Sequence, residues 1–176
     1  VQKVEDIFEL SEELLQATDA LTDHAADLGG LPAAHYVNMA GRNRMLSQRI
    51  GKFFLFREWP SLDEKIAVLT PPTCHEFESN LQTLRKTANI PPEVAAQLRV
   101  VASQWQKFIQ TLCPDLSHAA RTQHARLVMA EGERLLSGCL RTAPYAILMV
   151  PLLVESGDYR RRVDRDVRAG RGGEAR

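Results

Sequence analysis

From Ile7 onward the apolar residues Ile7, Leu10, Leu14, Ala17, Leu21 and Leu28 follow a three-four spacing. That period lines side chains along one side of an α-helix, and held over about three heptads it makes a coiled-coil-like seam. A chain carrying such a seam is drawn to long helices packed nearly parallel or antiparallel. His24 occupies the place that the pattern reserves for one more hydrophobe. It reads either as a pH-sensitive position or as the wetter end of the seam, a turn before the helix stops. Gly29-Gly30 ends the helix and Pro32 permits a fresh start, and so short a link turns the second helix back along the first.

The second helix is expected from about Ala33 to Arg57, roughly 37 Å at the α-helical rise, with Trp59-Pro60 closing it. Ser61-Leu62-Asp63-Glu64 spells a capping box for a short helical piece reaching Leu69, and Thr70-Pro71-Pro72 predicts a break. Thr73-Cys74-His75-Glu76 spells a second capping box, with Phe77, Leu81 and Leu84 keeping the helical period to about Lys86. After the interruption at Asn89-Ile90-Pro91-Pro92-Glu93, the residues Val94, Leu98, Val101, Trp105, Phe108, Ile109 and Leu112 make a third long helix, with Trp105 and Phe108 in its core. Asp115 or Ser117 can cap a fourth, running through Leu127, Val128, Leu135, Leu136 and Leu140 to about Thr142. Its early turns hold His118, Arg121, His124 and Arg126, read as a solvated face.

Beyond Pro144 the period fails, and Arg160 to Arg176 is rich in Arg and Gly, a composition with too little apolar surface to offset the entropy of ordering. No stretch alternates with period two over five residues. The expectation is an all-α chain, an antiparallel up-down-up-down four-helix bundle over residues 1–143, with an irregular, flexible C-terminal segment at 144–176.

Charge narrows the partners. With 22 basic and 22 acidic residues no global field draws the chain to nucleic acid or to an anionic membrane. The distribution is uneven: Glu5, Asp6, Glu9, Glu12, Glu13, Asp19, Asp23 and Asp27 face Lys3 alone in the first helix, whereas no acid lies between Pro32 and Glu58. The acidic and basic helices should lie side by side, with charge selecting the pairing more than stabilising it. Cys74, Cys113 and Cys139 form no metal-type pairing, so no metal is expected. The longest apolar run, Ala146 to Val154, is too short to span a membrane and contains Pro151. Since the sequence starts at Val1, the chain is read as a fragment or mature form of a longer protein.

The stretch from Asn38 to Ile50 concentrates functional groups. Met39, Leu46, Ile50 and Phe53 fall on one side of its helix, which should face a core. The opposite stripe is Val37, Gly41, Arg44, Gln48, Gly51 and Leu55. Each glycine costs a helix interior ~1 kcal/mol relative to alanine, so two on one stripe predict a close approach to the backbone. Arg44, between them, offers a planar fork of donors suited to a small planar oxyanion; the alternative is an arginine on a solvated face. Arg42 and Arg49 share a face with Asn38, where Glu9, Glu12 or Asp19 of the first helix could pair with them.

The run Asn38-Met39-Ala40-Gly41-Arg42-Asn43-Arg44-Met45-Leu46-Ser47-Gln48-Arg49-Ile50 resembles the signature of the PilJ-type domain, a sensor module of a type IV pilus chemotaxis transducer. It is more distantly similar to a segment of nitrate and nitrite sensor kinases. The likeness extends less densely over Glu9 to Leu21 and faintly over Pro91 to Phe108. It implies an antiparallel four-helix sensor bundle on the periplasmic or extracytoplasmic side of an inner-membrane receptor, reaching the membrane only through flanking segments, and a homodimer. In the nitrate sensors the arginine three positions after the Ala-Gly pair contacts the anion where two subunits meet; here that residue is Arg44. The candidate ligand-binding set is therefore Arg44 with Gly41, Arg42, Asn38, Gln48 and Arg49, and nitrate or nitrite is the first anion to consider. Met39 stands where those sensors tend to have lysine, an apolar choice common in PilJ-type sequences.

Other functions find little support. The chain lacks the nucleophile-elbow, P-loop, dinucleotide and zinc-protease motifs, and no carboxylate adjoins the arginines in sequence to act as a base, so neither catalysis nor a cofactor is expected. A nucleic-acid recognition helix needs a free basic side, which burial on two sides of residues 38–53 would deny. The competing reading is a ligand-free helical module that dimerises or relays a signal.

Overall fold

The computed structural model describes residues 2–29, 32–87, 90–112 and 118–155. They form five helices: α1 (Gln2–Gly29), α2 (Pro32–Phe56), α3 (Pro60–Lys86), α4 (Pro92–Leu112) and α5 (His118–Glu155). No strand occurs among the described residues. Three helices open on proline, which suits a position whose N–H would have no helical partner. Asp115 and Ser117, the expected caps of α5, and Cys113 lie outside the described residues.

The all-helical expectation holds, but the helix count is five rather than four. Residues of α2, α3, α4 and α5 share one core: Leu46 and Ile50, Phe77 and Leu81, Trp105 and Phe108, Val128 and Leu135. Phe77 stacks on Trp105 with ring centroids 4.0 Å apart, and the buried indole N–H donates to Glu78 Oε1 at 3.0 Å. Helix α1 stands outside this core. It buries Phe8 in a smaller cluster with Phe53, Leu62 and Ile66.

Two expected breaks are absent. Helix α3 runs unbroken through Pro71 and Pro72. The prolines remove the amides that would bond the carbonyls of Ala67 and Val68, and all four residues are exposed, so water can take those carbonyls. Meanwhile Leu62, Ile66, Thr73, Phe77, Leu81 and Leu84 stay buried along the other side of α3. The capping-box spelling at Thr73 therefore lies mid-helix, and its hydroxyl bonds the Leu69 carbonyl at 2.7 Å. At the other end of the fold, α5 continues past Pro144 to Glu155. The remainder of the expected C-terminal segment, 156–176, lies outside the described residues.

Close helix approach occurs at a glycine other than the two expected. A Cβ placed on Gly41 or Gly51 would meet nothing within 4 Å. On Gly138 it would meet Gln104 Oε1 and lie 3.3 Å from a Val101 methyl. Gly138 thus lets α5 sit against α4, and its carbonyl accepts a hydrogen bond from Gln97 Nε2 at 3.1 Å.

The expected seam of α1 is also turned around. Phe8 is fully buried against α2 and α3, whereas Ile7, Leu10, Leu14, Leu21 and Leu28 are 59% to 90% exposed, so the heptad side faces away from the rest of the chain. His24 is exposed with it, its ring nitrogen 3.0 Å from the Ala20 carbonyl.

Because Pro71 is solvent-facing and interrupts the ladder of an otherwise regular helix, Pro71→Ala should stabilise the protein, by up to ~3 kcal/mol. Urea unfolding measures this; a destabilised variant would show that the proline relieves a strain in α3.

Candidate functional site

The 38–50 segment lies wholly within α2, which packs against α1, α3 and α5. Its charged side chains divide between two sides of the helix. Toward α1, Arg49 holds Glu12, its Nε 3.1 Å from Oε2, and Lys52 Nζ lies 2.6 Å from Oε1 of the same carboxylate. Seven residues further along α1 and seven back along α2, Arg42 pairs with Asp19. Arg42 also pairs with Glu76 of α3 and lies 3.9 Å from Asp23. Asn38 Nδ2 donates to Asp23 Oδ1 at 2.7 Å. This is the antiparallel ladder that the acidic and basic patterns of the first two helices predict.

The ladder is partly dry. The Glu12 side chain is 8% exposed, that of Arg49 15% and that of Lys52 21%. The Lys52 ammonium sits 5.2 Å from the centre of the Phe8 ring, and Arg49 lies over Phe53. Burial pushes the Glu12 carboxyl up, but hydrogen bonds and charge from Arg49 and Lys52 outweigh it and hold Glu12 below its ordinary value. Arg42 is likewise penalised by burial, then driven further toward the charged form by Glu76 and Asp19.

Part of the other side of α2 is open, although Gly51 on it is buried. Gly41, Arg44 and Gln48 are exposed, and among the described residues no carboxylate lies within ion-pair distance of Arg44. A groove of about 620 Å³ between α1 and α2 is lined by Thr18, Thr22, Ala25, Val37, Gly41 and Met45, with Asp19, Asn38 and Arg42 at its polar edge. A smaller one of about 150 Å³ runs between Gln48 and Gly51 of α2 and Val128, Gly132 and Glu133 of α5. The structure therefore separates the candidate set: Asn38, Arg42 and Arg49 are engaged by acids, while Gly41, Arg44 and Gln48 share the exposed stripe.

Several participants were not singled out in the sequence. Glu76 closes the Arg42 pair from α3, and Asn43, buried within the motif, donates to the Phe77 carbonyl at 3.3 Å. Asn43 Oδ1 has no hydrogen-bond partner in the described structure. Only a 3.6-residue count from Ile50 would have placed Asn43 inward, and its polarity argued against it. The expected solvated cluster on α5 is only partly so: Arg126 is exposed, but His124 is half-buried, tilted against Phe54 with centroids 5.8 Å apart and bonded to the Thr111 carbonyl. The side chains of His118 and Arg121 lie outside the described residues. Among the described residues no cluster of ligating side chains could hold a metal. Cys139 is buried, and burial raises its thiol to about 12.

A helical module with a motif-bearing central helix is the class that this geometry defines. Residues 30–134 match the PilJ family, described as the N-terminal part of the type IV pili methyl-accepting chemotaxis transducer, and the chain belongs to that family. The matched span covers α2, α3 and α4 and the first part of α5, the helices that share the main core. No curated protein and no solved structure matches the chain.

Removing Glu12 would leave Arg49 and Lys52 partly buried without their anion. Glu12→Ala should cost about 3 kcal/mol in urea unfolding, at the lower end for breaking a buried pair. Because the folded-state value of Glu12 is depressed, its contribution is complete above the ordinary value of 4.5 and is lost as pH falls through the lower folded-state value. Melts across that acid range should show a loss of stability that Glu12→Gln makes smaller. On the open side, Gly41→Ala meets no obstruction and should stabilise α2 by up to ~1 kcal/mol.

Proposed function

We propose that this sensory region of a chemotaxis transducer detects a small oxyanion, nitrate or nitrite first, through Arg44. One observation carries the reading. Arg42 pairs with Asp19, and Arg49 and Lys52 share Glu12, whereas Arg44, on the same helix, projects from an exposed stripe with no carboxylate partner among the described residues. A guanidinium held on a rigid helix, one turn from Gly41 and one from Gln48, presents its donor fork to solvent with little bulk beside it. Arg42, Asn38 and Arg49 then serve to fix α2 against α1 rather than to contact the ligand.

The reading includes an extracytoplasmic position, as the PilJ resemblance implies, and a homodimer in which two copies can present their Arg44 residues to one anion. Like charges converging on a shared site repel, so an anion between them would stabilise the pair. Among the described residues no helix is long and apolar enough to cross a membrane. Signalling across one would need segments beyond these. The family is a signalling one.

Thermal melts in nitrate, nitrite and chloride at equal ionic strength test the proposal. A ligand at one hundred times its dissociation constant raises stability by ~2.7 kcal/mol, a shift that chloride should not reproduce. Arg44→Ala should abolish the specific shift with little effect on baseline stability, and Arg44→Lys should not restore it. Arg42→Ala should instead lower baseline stability by leaving Asp19 and Glu76 unpaired. If every oxyanion matches chloride, the motif is a packing element and the ligand-free dimerisation or relay module becomes the better account.

A further inference from the structure

We propose that the cleft where α2, α3 and α4 meet binds an apolar α-amino acid, with its side chain in the cleft and its two charges on Arg57 and Asp63. The inference is independent of whether Arg44 binds an anion. Helix α3 packs closely on α2 but only sparsely on α4, and the space left between the three helices is a cleft of about 430 Å³. Its walls include Ile50, Phe53 and Phe54 of α2, Ile66 of α3, and Ile109 and Leu112 of α4. Phe54, Ile109 and Leu112 are only half-buried, so an apolar group lodged there would complete their burial. A volume of this size, with mostly apolar walls and a few polar groups, is the usual form of a small-molecule site.

The polar groups of the cleft select the ligand. Arg57 follows the end of α2 and Asp63 lies in the first turn of α3, with Nε and Oδ1 4.0 Å apart and the side chains 55% and 63% exposed. So loose and wet a pair contributes little by itself, and a ligand can replace it at small cost. A simple carboxylate would meet Arg57 but lie beside Asp63, and a simple amine would face the reverse. A zwitterion satisfies both, and protein charges standing 4.0 Å apart call for a ligand that carries its own two charges on one carbon, as an α-amino acid does. The ends of a peptide lie too far apart. Pro71 adds an acceptor, since it leaves the Ala67 carbonyl without its helical donor, and both residues line the cleft one and two turns along α3 from Asp63. Thr70 in the same wall is already committed, its hydroxyl bonded to the Ile66 carbonyl at 2.7 Å. The interior therefore favours an apolar side chain, such as that of leucine or phenylalanine.

Calorimetric titration of the whole chain in chloride buffer, without nitrate, tests this. L-leucine and L-phenylalanine should bind saturably. Glycine, isocaproate and isoamylamine, which lack in turn the side chain, the ammonium and the carboxylate of leucine, should each bind at least about 10-fold more weakly. Arg57→Gln and Asp63→Asn should each cause a loss of similar size, and Ala67→Leu, which fills the cleft from an exposed position, should remove binding. Far-ultraviolet dichroism should stay unchanged in all three, since their positions are exposed. Arg44→Ala should leave amino-acid binding intact, which separates this site from the anion reading. Absence of binding by both amino acids, binding that survives Arg57→Gln and Asp63→Asn, or binding lost in Arg44→Ala would overturn the proposal. Isocaproate or isoamylamine binding as tightly as leucine would overturn it too, since the cleft would then read one charge rather than two.

Discussion

Helix α1 takes its orientation from the ladder of acids that it lays along the arginines of α2. Glu12 with Arg49 and Lys52, then Asp19 with Arg42, recur at seven-residue intervals on both helices and fix one antiparallel register. Phe8 contributes the buried hydrocarbon at one end, against Phe53 and Ile66. Most of the specificity is therefore electrostatic, and it decides which side of α1 faces inward. With the acids turned to α2, the heptad side of α1 has nowhere to point but away from the chain. The ladder also determines which arginine of the motif is available: the two that meet acids hold the helix pair together, and Arg44, on the opposite stripe, does not take part.

The remainder of the fold rests on more ordinary packing. Large aromatic and aliphatic residues from α2 to α5 fill one core, centred on the stacked pair of Phe77 and Trp105. Burial of side chains this large is worth several kcal/mol each, enough to carry α3 through two prolines that face solvent. The family match to residues 30–134 takes in most of that core and leaves all of α1 outside the matched span. A rigid core presenting one motif-bearing helix, with a long helix strapped to it by charge, suits a module that must hold a recognition surface in place.

Much of this was legible in residue order. The helical period placed Trp105, Phe108, Leu46 and Ile50 inward, and the opposed charges of the first two helices foretold their pairing. What escaped has a common cause, since local pattern does not say which neighbour a surface meets. Pro71-Pro72 reads as a break because proline disfavours helix, yet exposure of the freed carbonyls makes the cost bearable. Gly41 and Gly51 read as sites of close approach, although among the described glycines it is Gly138 that is pressed by a neighbouring helix, and nothing in its flanking residues marks it. The seam of α1 was recognisable as a seam; that α2 would bind its acidic side instead depended on Arg42 and Arg49 reaching across. For Arg44 the glycines on its stripe predict a close approach, with a solvated face as the alternative, and the structure shows Gly41, Arg44 and Gln48 exposed.

The dependence of the structure on the ladder can be measured directly by a double-mutant cycle between Glu12 and Arg49, with each changed to glutamine singly and together and stability read from urea unfolding. Residues joined in one ion-pair network couple by ~0.5–3 kcal/mol. The account predicts coupling in the upper half of that range, with the double variant more stable than the sum of the single losses implies. Single losses near zero and no coupling would contradict it, since α1 would then be held on α2 by Phe8 alone and its orientation would need another cause.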